Sequence, residues 1–148
     1  MLKPLSQWYC DVCDKIIEKP EDGYVIWMND ENYRDYNFKI IHQSKCDNHE
    51  FPSSMDINSF LGEEGRNMLL SFLSIGPIKH NIGQRGGMRI KNMDEFVDFF
   101  RRMQVPYYEE ARKRFHNSNL LDDFSDANEI YSYQVKVLKK IIEKYTED

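Results

Sequence analysis

The three cysteines of the chain and one of its histidines form two pairs with the same spacing. Cys10 and Cys13 are separated by two residues in "WYCDVCDKII", and Cys46 and His49 are separated by two residues in "KCDNHE". A structural zinc ion is bound by four Cys or His side chains, usually supplied as two close pairs. The spacing therefore predicts a structural zinc site with all four ligands from the protein, which leaves no coordination position for water.

Two histidines are candidates for the fourth ligand. His49 completes the second pair, whereas His42 precedes Cys46 by four residues, which is also a workable spacing for two ligands of one ion. A Cys-rich tetrahedral site can also take iron. Without a metal, Cys10 and Cys13 would be a redox pair or buried thiols, but no helical periodicity follows Cys13 as it would in a thioredoxin-like motif.

Two predicted strands lie between the cysteine pairs and must bring them together. Residues 24–28 form a β-branched and aromatic run, and residues 37–43 alternate apolar and polar side chains, with a polar loop between the two. This hairpin with its flanking pairs resembles a zinc ribbon of C-x2-C…C-x2-H type over residues 8–50. One departure is Asp14, which stands where such knuckles often carry Gly.

Helical periodicity begins at residue 56 and continues to the end of the chain. Apolar spacing predicts a helical segment from Ile57 that ends at Gly76-Pro77, and a helix from Met93 with Asn92 as its cap. Two more helices are predicted, one after Pro106 and one from about residue 126 to Tyr145. We therefore expect an α+β protein, in which a zinc-ribbon-like unit (1–52) packs on a helical unit of about four helices (53–148) as one domain.

Several blocks along the chain carry a longer resemblance. The stretches "WYCDVC", "EDGYVIW", "FLGEEG", "LLSFLSIGP" and "PYYEEAR" are similar to a group of small bacterial proteins of unknown activity. The resemblance implies no reaction and no catalytic residues. It implies that these blocks belong to one integrated unit.

A glycine-containing loop is the second candidate site. Residues 77–91 hold four basic side chains and no acidic one, Lys79, Arg85, Arg89 and Lys91, although the chain as a whole has a net charge of −5. Clustered cations beside flexible backbone could bind a phosphate or an acidic partner, and the alternative is a solvated connector between helices. The "EEARKR" stretch fits exposed i,i+4 ion pairs of Glu109 with Lys113 and of Glu110 with Arg114 better than acid–base catalysis.

Composition narrows the class of function. An odd number of cysteines including a C-x-x-C favours a reducing compartment, and neither a signal peptide nor a membrane-spanning segment is apparent, so we expect a cytoplasmic protein without a membrane partner. The leading hypothesis is a zinc-binding protein, not an enzyme, that contacts another protein. The alternatives are contact with nucleic acid through the 79–91 loop, which the acidic remainder disfavours, and an enzyme that binds an anionic substrate there.

Overall fold

The computed structural model describes residues 1–148 and shows a mixed α/β protein with two small antiparallel sheets and seven α-helices. The strands are β1 (Trp8–Tyr9), β2 (Ile16–Ile17), β3 (Gly23–Asn29), β4 (Asp35–His42) and β5 (Ser53–Asp56). The helices are α1 (Gly62–Ser71), α2 (Gly76–Asn81), α3 (Met93–Gln104), α4 (Tyr108–Arg112), α5 (Ser118–Asp123), α6 (Glu129–Ser132) and α7 (Val135–Lys144).

The predicted hairpin is present as β3 and β4. The two strands pair antiparallel with Tyr24 opposite Ile41, and the register shifts between Ile26 and Met28. On its other side β3 pairs with β5, so the strand order is β4-β3-β5. β1 and β2 form a separate two-stranded sheet. Because β5 begins at Ser53, the pairing crosses the proposed boundary after residue 52, and the division into two units stays a prediction.

Two apolar clusters hold the helices. The first joins the sheet to α1 and α3 through a group of aromatic rings, in which Phe38 stacks on Phe99 with centroids 4.8 Å apart. Asn92 caps α3 by accepting a hydrogen bond from the Glu95 backbone N–H, as its residue type predicts. The second cluster is formed by side chains of α4, α5 and α7, including Tyr108, Ala111 and Leu138.

The number of helices differs from the predicted four. Gly76-Pro77 does not end a helix but begins α2, where proline in the first turn has no N–H to leave unpaired. The last predicted helix is divided into α6 and α7, with Gln134 extended between them. The break lets the Tyr133 ring pack against Tyr108 and Phe115, while α7 turns its apolar face to the second cluster. No helix combines the length and the apolar character needed to cross a membrane.

Candidate metal centre

Four potential ligands converge where the small sheet meets the end of the β3–β4 hairpin. Cys10 and Cys13 lie in the turn between β1 and β2, His42 is the last residue of β4, and Cys46 lies in the turn that follows. Their ligand atoms all lie within 4.8 Å of one another. Cys10 and Cys46 are buried, while Cys13 and His42 are partly exposed.

The separations suit tetrahedral coordination. The Nδ1 atom of His42 lies 3.3 Å from Sγ of Cys13 and 4.0 Å from Sγ of Cys46. In a tetrahedral zinc site, bond lengths of about 2.3 Å to sulfur and 2.0 Å to nitrogen place neighbouring ligand atoms roughly 3.5–3.8 Å apart. The two distances lie on either side of that range, and the four side chains could hold one metal ion between them.

A backbone contact sets the orientation of the His42 ring. Its Nε2 atom lies 3.1 Å from the carbonyl oxygen of Ile16. When Nε2–H donates to this carbonyl, the proton is held on that side of the ring, and the lone pair of Nδ1 faces the cysteine sulfurs. A hydrogen bond of this kind is the usual outer support of a metal-binding histidine.

Backbone N–H groups point at sulfur in the turn of residues 10–14, which we call the first knuckle. The N–H groups of Val12 and His42 each donate to Sγ of Cys10 at 3.4 Å. The Asp14 N–H donates to the Cys10 carbonyl at 2.9 Å, and Asp14 has φ of 61°. Asp14 thus takes the left-handed conformation for which Gly is common, so the departure from the ribbon pattern leaves the turn intact.

The thiols differ in their affinity for protons. Burial alone would raise the pKa of Cys10, but the N–H groups of Cys13, His42 and Val12 outweigh it and the pKa is lowered. The Lys15 N–H lowers the pKa of Cys13. Burial, together with the neighbouring Cys10 and Cys13, raises the pKa of Cys46 to about 11. Because a third thiolate would add to two others, a cation among the sulfurs would favour deprotonation of Cys46 near neutral pH.

His49 lies outside this group. It is exposed in the loop after Cys46, while the four converging residues are Cys10, Cys13, Cys46 and His42. The structure therefore brings the three predicted cysteines together with His42, the alternative histidine, instead of His49. Spacing could not decide between them, because the choice depends on where β4 ends and on the contact of its last residue with Ile16.

A buried ion network adjoins the centre, and sequence reasoning missed it. The Arg102 side chain is 3% exposed, and it donates to Asp11 Oδ2 at 2.8 Å through Nη1 and to Glu109 Oε2 at 2.7 Å through Nε. Burial alone would lower the pKa of Arg102, but Glu109 and Asp11 raise it. Asp11 also accepts from the Ile40 N–H at 2.8 Å, so this residue of the first knuckle ties β4 to α3 and α4.

The predicted i,i+4 ion pairs of α4 are wrong. Glu109 bonds Arg102, Lys113 pairs with Asp14 of the knuckle, and Oε2 of Glu110 is buried without a hydrogen-bond partner. The helix ends at Arg112, and its acidic side chains turn inward because α4 packs against α3 and β1. A signal was present in the sequence, since Arg102 lies three positions from Phe99 on the buried side of α3.

The basic loop does not gather its four cations into one pocket. All four side chains are exposed, but Nη2 of Arg89 lies 3.7 Å from Asp35 Oδ2, and Nζ of Lys91 lies 4.6 Å from the centre of the Tyr36 ring. Arg85 lines a cavity of about 420 Å³ that includes His80 but neither Lys79, Arg89 nor Lys91. Anion binding by Lys79, Arg85, Arg89 and Lys91 stays a prediction.

Comparison of the chain with known protein families, with curated proteins and with solved structures finds no match. The resemblances to zinc ribbons and to small bacterial proteins therefore gain no support from a relative. The candidate metal centre therefore rests on the geometry of its four side chains.

Proposed function

We propose that Cys10, Cys13, His42 and Cys46 bind one structural zinc ion, and that this intracellular protein acts through contact with another protein. The observation that carries the proposal is the convergence of four ligand atoms within 4.8 Å. The hydrogen bond from His42 to Ile16 supports it, because it aims Nδ1 at the same point. Three free thiols fit a reducing compartment.

A zinc ion at this position would hold the fold together. It would join the β1–β2 turn to the end of β4, which makes residues 8–50 a variant of a zinc ribbon with a His-x3-Cys second pair. Structural zinc sites contribute about 10–16 kcal/mol of apparent binding free energy in small modules. Four protein ligands fill a tetrahedral site, which favours a structural over a catalytic role.

Metal analysis of site variants tests the centre. Elemental analysis of protein purified without chelator should give one zinc per chain for the wild type and for His49→Ala. Cys46→Ser and His42→Ala should lose most of it, because three ligands bind zinc far more weakly than four. His49→Ala is the matched control, since His49 is exposed outside the group.

Two results would contradict this assignment. One is full zinc content in both Cys46→Ser and His42→Ala, and the other is wild-type protein without bound metal. Iron in place of zinc would overturn the choice of metal and keep the ligand set.

A salt titration tests protein contact against nucleic-acid contact. With a net charge of −5 we expect no measurable affinity for random-sequence DNA or RNA at low salt. An affinity that falls steeply with salt, and that is lost in Arg85→Gln, would instead favour nucleic-acid contact through the 79–91 loop.

A further inference from the structure

The outer edge of β5 is free. β5 lies at one end of the strand order β4-β3-β5, and Ser53 to Asp56 pair only with Trp27 to Tyr24 of β3. None of the backbone hydrogen bonds made by turns, loops and caps involves residues 53–56. An edge of this kind presents unpaired N–H and C=O groups, which another extended chain can pair with.

Two surface cavities follow this edge. The larger, of about 580 Å³, has a floor of Trp27, Met55, Met68 and Phe72 and a rim that includes Ser71 of α1. The second, of about 460 Å³, includes Ser54 and Asp56. Met55 and Ser59 line both cavities, but side chains alternate along a strand, so Trp27 and Met55 mark one face of this edge while Ser54 and Asp56 lie on the other. We call the pair of cavities the β5 groove.

The β5 groove is lined by one basic side chain, Arg89, and by acidic ones that include Asp56 and Glu64. Asp56 is exposed at the C-terminal end of β5. Arg89 and Glu64 both line the larger cavity, together with Trp27, which pairs with Ser53 at the other end of β5. The side chain of Arg89 pairs with the buried Asp35 at 3.7 Å and lies over the Phe72 ring, but it is 56% exposed and so remains accessible to a ligand. A strand rises about 3.3 Å per residue, so these ends are roughly 10 Å apart.

We propose that the β5 groove binds an extended peptide segment of a protein partner as an additional β-strand. The peptide backbone pairs with β5, and one apolar side chain enters the larger cavity over Trp27 and Phe72. An acidic group of the peptide meets Arg89, and a basic group meets Asp56. This inference deepens the proposed function, on whose protein-contact half it rests, by naming the contact surface and the chemistry of the partner.

The free edge of β5 favours an extended peptide over other ligands. Free backbone groups of a strand are matched by another extended backbone, with alternate side chains directed into pockets beside the strand. A compact small molecule would fill the larger cavity but leave β5 unpaired. The two opposite charges add a direction to the peptide, because only one orientation places its acid at Arg89 and its base at Asp56.

The experiment is a selection from random decapeptides displayed on phage, with the full-length protein as bait. We expect enriched sequences with an apolar residue flanked by an acidic residue on one side and a basic residue on the other. Synthetic copies should slow amide hydrogen exchange at residues 53–56. N-methylation of alternate peptide amides should weaken binding at least tenfold, because it removes ladder hydrogen bonds.

Two matched pairs of variants localise the site. Ser71→Arg places a long side chain over the larger cavity and should weaken binding at least tenfold, whereas Ser118→Arg, at an exposed position of α5 outside the β5 groove, should not. Arg89→Gln should abolish the preference for an acidic residue, whereas Arg85→Gln, in the same loop, should retain it. Ser71 and Ser118 are both exposed, so neither change disturbs an apolar cluster.

Several outcomes would overturn the proposal. These are no enriched sequence, equal binding to Ser71→Arg and wild type, or binding without protection of residues 53–56. Concentration-dependent dimerisation that Ser71→Arg abolishes would make a second copy of this chain the occupant instead.

The zinc content of the same samples separates the two proposals. Zinc without peptide binding contradicts the β5 groove alone. Peptide binding without zinc contradicts the metal centre alone.

Discussion

At the scale of single residues, the first knuckle depends on a backbone conformation that most side chains avoid. Asp14 has φ of 61°, which costs an ordinary L-residue roughly 1–2 kcal/mol, and less for Asp or Asn. Its carboxylate pairs with Lys113 but is 77% exposed, so the ion pair adds little stability. The conformation of Asp14, and not its charge, is what the knuckle requires.

The stability of variants at Asp14 should depend on how easily each residue adopts positive φ. Asp14→Gly should leave the free energy of unfolding within about 0.5 kcal/mol of wild type, because Gly adopts positive φ freely. Asp14→Val should lower it by roughly 1–2 kcal/mol. Urea denaturation measures both values. Equal stability of the two variants would contradict a conformational role for this position.

Asp98 gives a prediction about pH. Burial alone would raise its pKa, but Arg112, at 2.8 Å, and the Tyr108 hydroxyl, at 2.7 Å, lower it below the ordinary value of 3.8. A carboxylate with a lowered pKa stabilises the folded state above its unfolded pKa. That stability is lost as the pH falls through the folded value.

Asp98→Asn should therefore be less stable than wild type at pH 7, and the difference should shrink steadily below about pH 4. Denaturation curves of both proteins across this range measure it. Asp126→Asn, at an exposed position without an ion pair, controls for the loss of one charge. A difference that is constant from pH 7 to pH 3 would show that the ion pair with Arg112 contributes nothing.

At the scale of elements, the first turn of α1 lies very close to the backbone of the residues that precede it. A Cβ atom on Gly65 would lie 2.1 Å from the carbonyl carbon of Phe60, whereas nothing lies within 4 Å of a Cβ on Gly87. Gly65 therefore brings α1 close to the turn that precedes it. In the sequence this glycine only weakens a helical pattern, because the close approach is a tertiary contact.

Alanine at Gly65 should destabilise the protein although alanine favours helices. The gain in helix propensity is about 1 kcal/mol, but the clash is with backbone that cannot move freely, so we expect a net loss of about 1–3 kcal/mol. Gly87→Ala should change the stability little. Thermal unfolding of both variants measures the difference, and an equally stable Gly65→Ala would show that α1 shifts without cost.

The elements that could be predicted are those set by the residue pattern of a short stretch of the chain. The alternation at residues 37–43 and the apolar stripe of α3 appear in the structure as β4 and as a helix capped by Asn92. The start of α2 at Gly76-Pro77 was missed, because the same dipeptide can end one helix or begin another. The approach of the three cysteines to one another was predictable from spacing, while the position of His42 beside them depends on its contact with the Ile16 carbonyl, 26 positions away in the chain.

At the scale of the whole molecule, the buried Arg102 joins parts that are far apart in sequence. It bonds Asp11 between the first two cysteines and Glu109 of α4, and it accepts through its carbonyl from the Trp8 indole at 3.0 Å. Removing one partner from a buried ion pair leaves an uncompensated charge, which costs about 3–5 kcal/mol.

Arg102→Leu should therefore lower the free energy of unfolding by about 3–5 kcal/mol. The double variant Arg102→Leu with Glu109→Leu should be more stable than the single one, since it removes one of the two stranded carboxylates. A double-mutant cycle measures this coupling. Independent effects of the two changes would contradict a shared network.

Asp11 lies between the cysteines of the first knuckle and Asp14 directly follows them, and the two pair with Arg102 of α3 and with Lys113 beyond α4. The first knuckle therefore connects the sheet-centred cluster to the C-terminal helices. If zinc sets the shape of this knuckle, its removal should weaken the contacts between the knuckle and the helices as well as the β3–β4 hairpin. NMR relaxation should then show the two clusters tumbling together with the metal and more independently without it.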